Sequence, residues 1–140
     1  MTEASKLASL AIEAMRRAYA PYSGYKVGAA LLCADGTVYQ GCNIENGSYG
    51  ATNCAERTAF FKAVYDGHRE FTAIAVCGGK DGVISDVFPP CGICRQVIAE
   101  FHIPVVIVAK DEDHYKIFDG SKLLPHAFEE GCLKTGERNG

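Results

Sequence analysis

The sequence predicts an α/β domain built in three layers, and three observations carry that expectation. An amphipathic segment opens the chain and is followed by two strand-like runs joined by a tight turn. Strand and helix signals then alternate through the second half. Finally, 140 residues with 48% apolar and 22% charged side chains have the composition of one compact core. Residues 1–140 therefore read as a single domain, with 131–140 as a polar tail whose end, "GERNG", is expected to fray.

Each element follows from its local pattern. Between Ser5 and Ala18, the residues Leu7, Leu10, Ala11, Ala14, Met15 and Ala18 recur at helical spacing, while Glu13, Arg16 and Arg17 fill the opposite face. "KVGAALLC" (26–33) and "TVYQGCNI" (37–44) read as strands, and Asp35-Gly36 between them signals a hairpin because both residues tolerate positive φ. Residues 54–65 predict a second helix that stops before Gly67, and "FTAIAVC" (71–77) has the unbroken apolar character of a buried strand. A loop, "GGKDGVISDVFPP", leads to Cys91; "GICRQVIAEF" then has helical spacing, and Pro104 opens the strand "PVVIVA". Strand, helix and strand in that order imply a crossover connection and a sheet covered on both faces.

Composition narrows the function. A net charge of −3 offers no attraction to nucleic acid, whose binding rests on Lys and Arg neutralising phosphates. The longest apolar runs fall far short of the ~20 residues that span a bilayer, and the first 20 residues interleave charges with apolar side chains, unlike a secretory leader. Seven cysteines are an odd number in a chain long enough to fold without staples, which favours a reducing compartment, the cytoplasm, over a disulfide framework. The expected partner is a free small molecule, with no nucleic acid and no membrane.

Chemistry concentrates at two places. Cys91 and Cys94 form a Cys-x-x-Cys, a spacing that lets two thiolates reach one metal from the first turn of a helix; the same spacing also suits a redox pair. Cys54 shifts the balance toward metal, because it too opens a predicted helix, and helix N-termini stabilise the thiolate form that binds zinc. Three protein ligands leave a fourth tetrahedral position open, as in catalytic zinc sites, where zinc lowers the pKa of water from about 15.7 toward about 7. Glu56, two positions after Cys54, can approach such a metal only at the helix start, where its carboxylate would be free to move protons. The spacing equally allows Glu56 to be an ordinary first-turn acid or a fourth ligand. Three thiolates on a divalent ion leave a formal charge of −1. Arg57 is placed to offset it, with helix N–H groups and Arg95 as further donors to the sulfurs.

Cys54-Ala55-Glu56-Arg57 followed by Pro90-Cys91-Gly92-Ile93-Cys94-Arg95-Gln96 resembles the short-chain, homotetrameric cytidine deaminases. The resemblance extends to Pro21-Tyr22-Ser23, Val27-Gly28-Ala29-Ala30, "GCNIEN", and Leu123-Leu124-Pro125 with Phe128, covering roughly residues 5–128. It implies a three-layer α-β-α fold around a central mixed five-stranded sheet. It also implies one Zn2+ per subunit on Cys54, Cys91 and Cys94, with Glu56 as the proton shuttle in the mechanism known for zinc deaminases. The implied reaction is hydrolysis of cytidine and 2′-deoxycytidine to uridine and 2′-deoxyuridine plus ammonia, in pyrimidine salvage.

By the same resemblance Asn43 and Glu45 hold the ribose 3′-hydroxyl, and Tyr25, Tyr49 and Ala55 line the substrate. Phe128 is contributed by a neighbouring subunit of a homotetramer with shared active sites. On spacing alone Asn43 and Glu45 share one face of a strand end, for which a polar pair facing water is the simpler reading. Tyr25 stands where the family usually has Phe, and Pro89 where it usually has Ser; both bear on preference among pyrimidines rather than on reaction class.

Two alternatives remain: a deaminase of a modified pyrimidine nucleoside or nucleoside antibiotic, and a non-catalytic zinc-stabilised interaction domain with Cys42 or Cys77 as fourth ligand. A nucleic-acid-editing deaminase is disfavoured by the acidic charge and the lack of a basic aromatic channel. Cys33, Cys42, Cys77 and Cys132 read as small buried hydrophobes. His68, His102, His114 and His126 have no mutual spacing that suggests a metal site, and read as surface or structural residues.

Overall fold

In the computed structural model, which describes residues 2–129, Thr2 caps the first helix. Its side chain accepts from the Ser5 backbone N–H at 3.1 Å, satisfying a donor that no helical carbonyl can reach. The helix, α1 (Glu3–Met15), buries Leu7, Ala8, Ala11 and Met15. It stops short of the expected Ala18 because tertiary pairing takes over. The Arg16, Arg17 and Ala18 N–H groups tighten onto carbonyls three residues back, and Tyr19 N donates to Asn43 O at 3.0 Å, drawing the chain along the sheet.

Five strands follow the order β2-β1-β3-β4-β5: β1 (Tyr25–Cys33), β2 (Val38–Cys42), β3 (Phe71–Lys80), β4 (Val105–Ala109) and β5 (Tyr115–Asp119). Antiparallel pairing joins β1 to β2 and β3, and β4 to β5; β3 and β4 are parallel. The parallel pair is bridged by α3 (Gly92–Glu100), as the crossover pattern requires, and α2 (Ala55–Tyr65) links β2 to β3. The sheet is therefore mixed, α/β and five-stranded, as expected. The strand that local reading misses is β5: "YKIFD" is short, carries Lys116 and Asp119, and lies on the sheet edge with four of its five residues exposed, so no alternation marks it.

Side-chain alternation sorts the core into two slabs. Val27, Ala29, Leu31, Ile74, Val76, Val106 and Val108 point toward α2 and α3, where Ala55, Ala59, Phe60, Ala63 and Ile98 meet them. Ala30, Ala73, Ala75, Cys77, Ile107 and Ala109 point the other way, onto Leu7, Ala8, Ala11 and Met15 of α1. A bulge breaks this alternation once. Leu32 pairs with Ala73 but Cys33 pairs with Phe71, so Phe71 turns onto the α2–α3 side despite lying two residues before Ala73. There Phe71 meets Phe60 and Phe101 edge-on, each at 5.4 Å between ring centroids, while Phe60 and Phe101 stack at 5.7 Å.

Helix α2 lies against the sheet without intervening side chain at Gly41. A Cβ built there would lie 2.4 Å from Ala55 O and 2.5 Å from Ala59 N, so the first turn of α2 rests directly on the β2 backbone. Gly41→Ala must displace α2, and a cost of about 1–3 kcal/mol is expected for such overpacking. Chemical denaturation should show a lowered midpoint; an unchanged midpoint would mean that α2 does not depend on this contact.

Candidate active site

Both helices that face the β2–β1–β3–β4 surface begin at a cysteine. Cys54 precedes α2 and Cys91 precedes α3, each with extended backbone (φ −73°, ψ 156° and φ −72°, ψ 171°). Neither side chain caps its own helix, so both sulfurs are free to face outward from the helix starts. Their Sγ atoms are 3.5 Å apart, and Cys94, one turn into α3 and fully buried, brings a third sulfur so that all three lie within 4.8 Å of one another. Exposure falls from Cys91 through Cys54 to Cys94, so the cluster opens to solvent on the Cys91 side.

Two charged residues in the first turn of α2 set the electrostatics. Arg57 Nη2 donates to Cys54 Sγ at 3.3 Å. The Cys94 thiol and Arg57 together hold the Cys54 thiol well below the usual cysteine range, so this sulfur favours thiolate. Arg95, by contrast, bonds to backbone carbonyls: its Nε donates to Pro90 O at 2.9 Å and its Nη1 to Leu123 O at 3.1 Å. The expected assistance from Arg95 is corrected accordingly, since anchoring the 90 and 123 carbonyls occupies its guanidinium. Glu56 is 3% exposed. Burial pushes its carboxyl up to about 7, and the Cys54 charge adds to the rise against the pull of its backbone N–H, Cys94 and Arg57.

This donor set fits zinc. Three sulfurs converge, one of them already favours the thiolate, and among the described residues no fourth side chain joins the group. Cys42 instead donates to Arg17 O at 3.4 Å, and Cys77 lies fully buried on the α1 side of the sheet, so neither supplies the fourth ligand that a structural zinc would need. Glu56 does not belong to the group of converging ligand atoms either.

A polar turn stands beside the cluster. Asn43 is buried, donating through Nδ2 to Tyr25 O and accepting at Oδ1 from Val27 N, both at 2.8 Å. Glu45 accepts from Tyr22 N at 2.9 Å, from Ser23 N at 3.0 Å and from the Ser23 hydroxyl, which together hold its carboxyl below the usual range. Both side chains thus reach toward 22–27, on one side of the strand end, while Ile44 bridges Tyr19 and Asn53. The expectation of an exposed polar strand end is corrected for Asn43, because unpaired backbone groups at the start of β1 draw its amide inward. Glu45 and Tyr49 line one groove with Tyr22, Ser23, Asn46 and Thr52, and Tyr49 meets Tyr22 edge-on at 6.3 Å.

Tyr25 stacks on Phe88 at 6.1 Å beneath Lys80 Nζ, 5.3 Å from the ring centre. Ala55 is fully buried over Gly41. Phe128 is fixed by Gln96 Nε2 donating to its carbonyl at 2.7 Å, and its side chain is largely exposed. Cys33 and Cys77 are buried as expected; Cys132 and the tail 131–140 lie outside the described residues. Ser23 and Gln96 contribute without an individual role assigned from sequence; both lie within stretches that carry the family resemblance, Pro21-Tyr22-Ser23 and Pro90–Gln96.

Comparison with known proteins places the chain. The family model described as "Cytidine and deoxycytidylate deaminase zinc-binding region" matches residues 1–110. A cytidine deaminase of Sporosarcina psychrophila is 51% identical over 134 residues, 94% of this chain and 95% of the relative. A cytidine deaminase of Halalkalibacterium halodurans is 50% identical over 121 residues, covering 84% and 88%. Among solved structures, the cytidine deaminase of Burkholderia pseudomallei superimposes with a TM-score of 0.81 at 45% identity, covering 91% of this chain and 100% of that one.

The double hydrogen bond at Asn43 yields a prediction. Asn43→Ala leaves Tyr25 O and Val27 N–H without their partner, so a stability loss of about 1–3 kcal/mol is expected. Equilibrium unfolding of the variant measures it; an unchanged curve would show that water replaces the amide.

Proposed function

The chain belongs to the cytidine and deoxycytidylate deaminase family, and on that premise we propose how its residues deaminate cytidine and 2′-deoxycytidine hydrolytically in pyrimidine salvage. The observation that carries the assignment of roles is the buried Glu56 carboxyl interacting with Cys54 and Cys94 of the three converging sulfurs. Cys54, Cys91 and Cys94 would hold one zinc per chain, and zinc bound there supplies the acidity that lets water act as a nucleophile near neutral pH. Burial is what suits Glu56 to the proton traffic, because a carboxyl that titrates near neutrality can both take and return a proton. Glu56 takes a proton as water adds to C4 of the base, delivers one to N3, and assists departure of the amino group as ammonia. The net change is cytidine plus water giving uridine plus ammonia, without a redox partner.

Arg57 offsets the surplus negative charge of three thiolates through its donation to Cys54. Asn43 and Glu45 receive the ribose hydroxyl; their support from the 22–27 backbone fixes their direction before substrate arrives. Tyr25, Tyr49 and the backbone at Ala55 are assigned to the base and sugar, and the whole of 1–140 is proposed to act as one domain. A homotetramer is supported by the exposed side chain of Phe128, proposed to complete a neighbour's site. An apolar groove lined by Phe61, Val64, Tyr65, Val97 and Phe101 between α2 and α3 supports it as well. The cytoplasm is the proposed compartment, since thiols that serve as ligands must stay reduced.

The test is the ultraviolet change on mixing zinc-loaded protein with cytidine. Wild type should form uridine, and Glu56→Gln should keep its zinc while losing at least about 10²-fold in kcat; full activity in that variant would remove Glu56 from the proton path. Arg57→Ala is expected to retain one zinc per chain with kcat reduced about 10–100-fold and little change in KM. Loss of zinc in that variant would recast Arg57 as a residue that holds the metal site together.

A further inference from the structure

A second set of metal-ligating side chains lies at the opposite end of α2. Cys33 Sγ, an Asp35 carboxylate oxygen and a His68 ring nitrogen all lie within 4.8 Å of one another, although none of the three showed a metal-site spacing in sequence. The 11 residues of α2 rise about 16 Å, which separates this cluster from the three sulfurs at the helix start. We propose that Cys33, Asp35 and His68 form a second binding site, distinct from the deaminase centre, for a borderline divalent cation of the Zn2+ class.

Each ligand is held from outside the cluster. Cys33 ends β1 at the bulge, where it pairs with Phe71, and its N–H donates to Thr37 O at 2.8 Å. Asp35 opens the hairpin turn, and its Oδ1 accepts from Thr37 N at 3.0 Å, which leaves Oδ2 directed at His68 Nδ1, 3.8 Å away. His68 follows the end of α2: its N–H donates to Ala63 O at 3.0 Å, and Arg69 Nη1 donates to its carbonyl at 2.9 Å. The imidazole meets the Tyr39 ring edge-on at 5.4 Å, and Tyr39 is fixed in turn by donating to Asp66 Oδ2 at 2.6 Å. A backbone bond from Ala34 N to Glu70 O, 2.9 Å, ties the hairpin to the segment carrying His68. Ligands preset by neighbours in this way lose little freedom when a cation arrives.

The donor chemistry selects the cation. One sulfur, one imidazole nitrogen and one carboxylate oxygen suit Zn2+ or Co2+, whereas Mg2+ and Ca2+ require shells made largely of oxygen. A thiolate, a carboxylate and a neutral imidazole bring a charge of −2, so a divalent ion is neutralised with a fourth position left for water. Access is open, since the side chains of Asp35 and His68 are 60% and 22% exposed. The competing use of a Cys–His–Asp set, as an activated nucleophile, is opposed by the sulfur itself. Cys33 is 1% exposed, which leaves a substrate no approach to it. A bound cation would clamp the β1–β2 turn to the C-terminal end of α2.

The experiment loads the full chain with one equivalent of zinc, dialyses it against excess zinc, removes loosely held metal, and counts zinc per chain by mass spectrometry. Two per chain are expected for wild type and one for His68→Ala, with the same cytidine turnover in both. Cobalt added to protein already holding one zinc should give a thiolate charge-transfer band that Cys33→Ala loses; because Cys33 is buried, His68→Ala serves if that variant fails to fold. Wild type that stops at one metal, His68→Ala that still binds two, or a cobalt band that persists without Cys33 would each overturn the site.

Discussion

Three sulfurs can converge on one point only if two helices begin there, and holding those two beginnings together is the constraint on which the architecture rests. The first turn of α2 is seated on β2, where Gly41 lets helix backbone touch strand backbone. The start of α3 is delivered by the crossover between the parallel strands β3 and β4, which returns the chain to the same face of the sheet. Behind both starts, Phe60, Phe71 and Phe101 lock the two helices through ring contacts at 5.4–5.7 Å. The bulge that turns Phe71 inward thus sets the packing of the α2 and α3 bodies behind the cysteine-bearing starts.

Electrostatics explain why this point accepts so much negative charge. Helix starts present unpaired N–H groups, Arg57 donates to one sulfur, and the site opens to water on the Cys91 side. Glu56 sits in the same field but deeper, and burial acts on it in the opposite sense, favouring the protonated carboxyl. Two acids of the same short segment are therefore driven apart: Cys54 toward its charged form, Glu56 toward its neutral one. The arrangement has a cost, since among the described residues Arg57 Nε is buried without a partner, and an unmet donor of this kind destabilises by about 1–3 kcal/mol.

The polar turn at 22–27 shows how a binding surface and a folding element share residues. Asn43 and Glu45 hold the backbone that begins β1, and the same side chains are those proposed to meet the sugar. Preorganisation is the consequence, because groups already fixed by the fold lose little further freedom on binding. A comparable logic appears at Arg95 and Gln96, adjacent residues of α3 that fasten the carbonyls of Leu123 and Phe128 and so bring the C-terminal segment beside the helix that carries Cys94.

Among the described residues, the amino-acid sequence by itself determined four of the five strands, all three α-helices, the crossover, and the grouping of Cys54, Cys91 and Cys94 with Glu56 and Arg57. These are written in short-range terms: apolar period, turn chemistry, and ligand residues at helix starts. Family resemblance supplied the fifth strand's existence, but its place, Tyr115–Asp119, was hidden because an exposed edge strand needs no apolar alternation. Tertiary structure alone decided that α1 stops at Met15, that Asn43 turns inward, that Arg95 serves carbonyls instead of sulfurs, and that Cys33, Asp35 and His68 meet. Each of those depends on a partner distant along the chain, such as the Asn43 carbonyl for Tyr19 or the Leu123 carbonyl for Arg95. Local patterns state what a segment prefers; only the assembled sheet brings together the groups that overrule it.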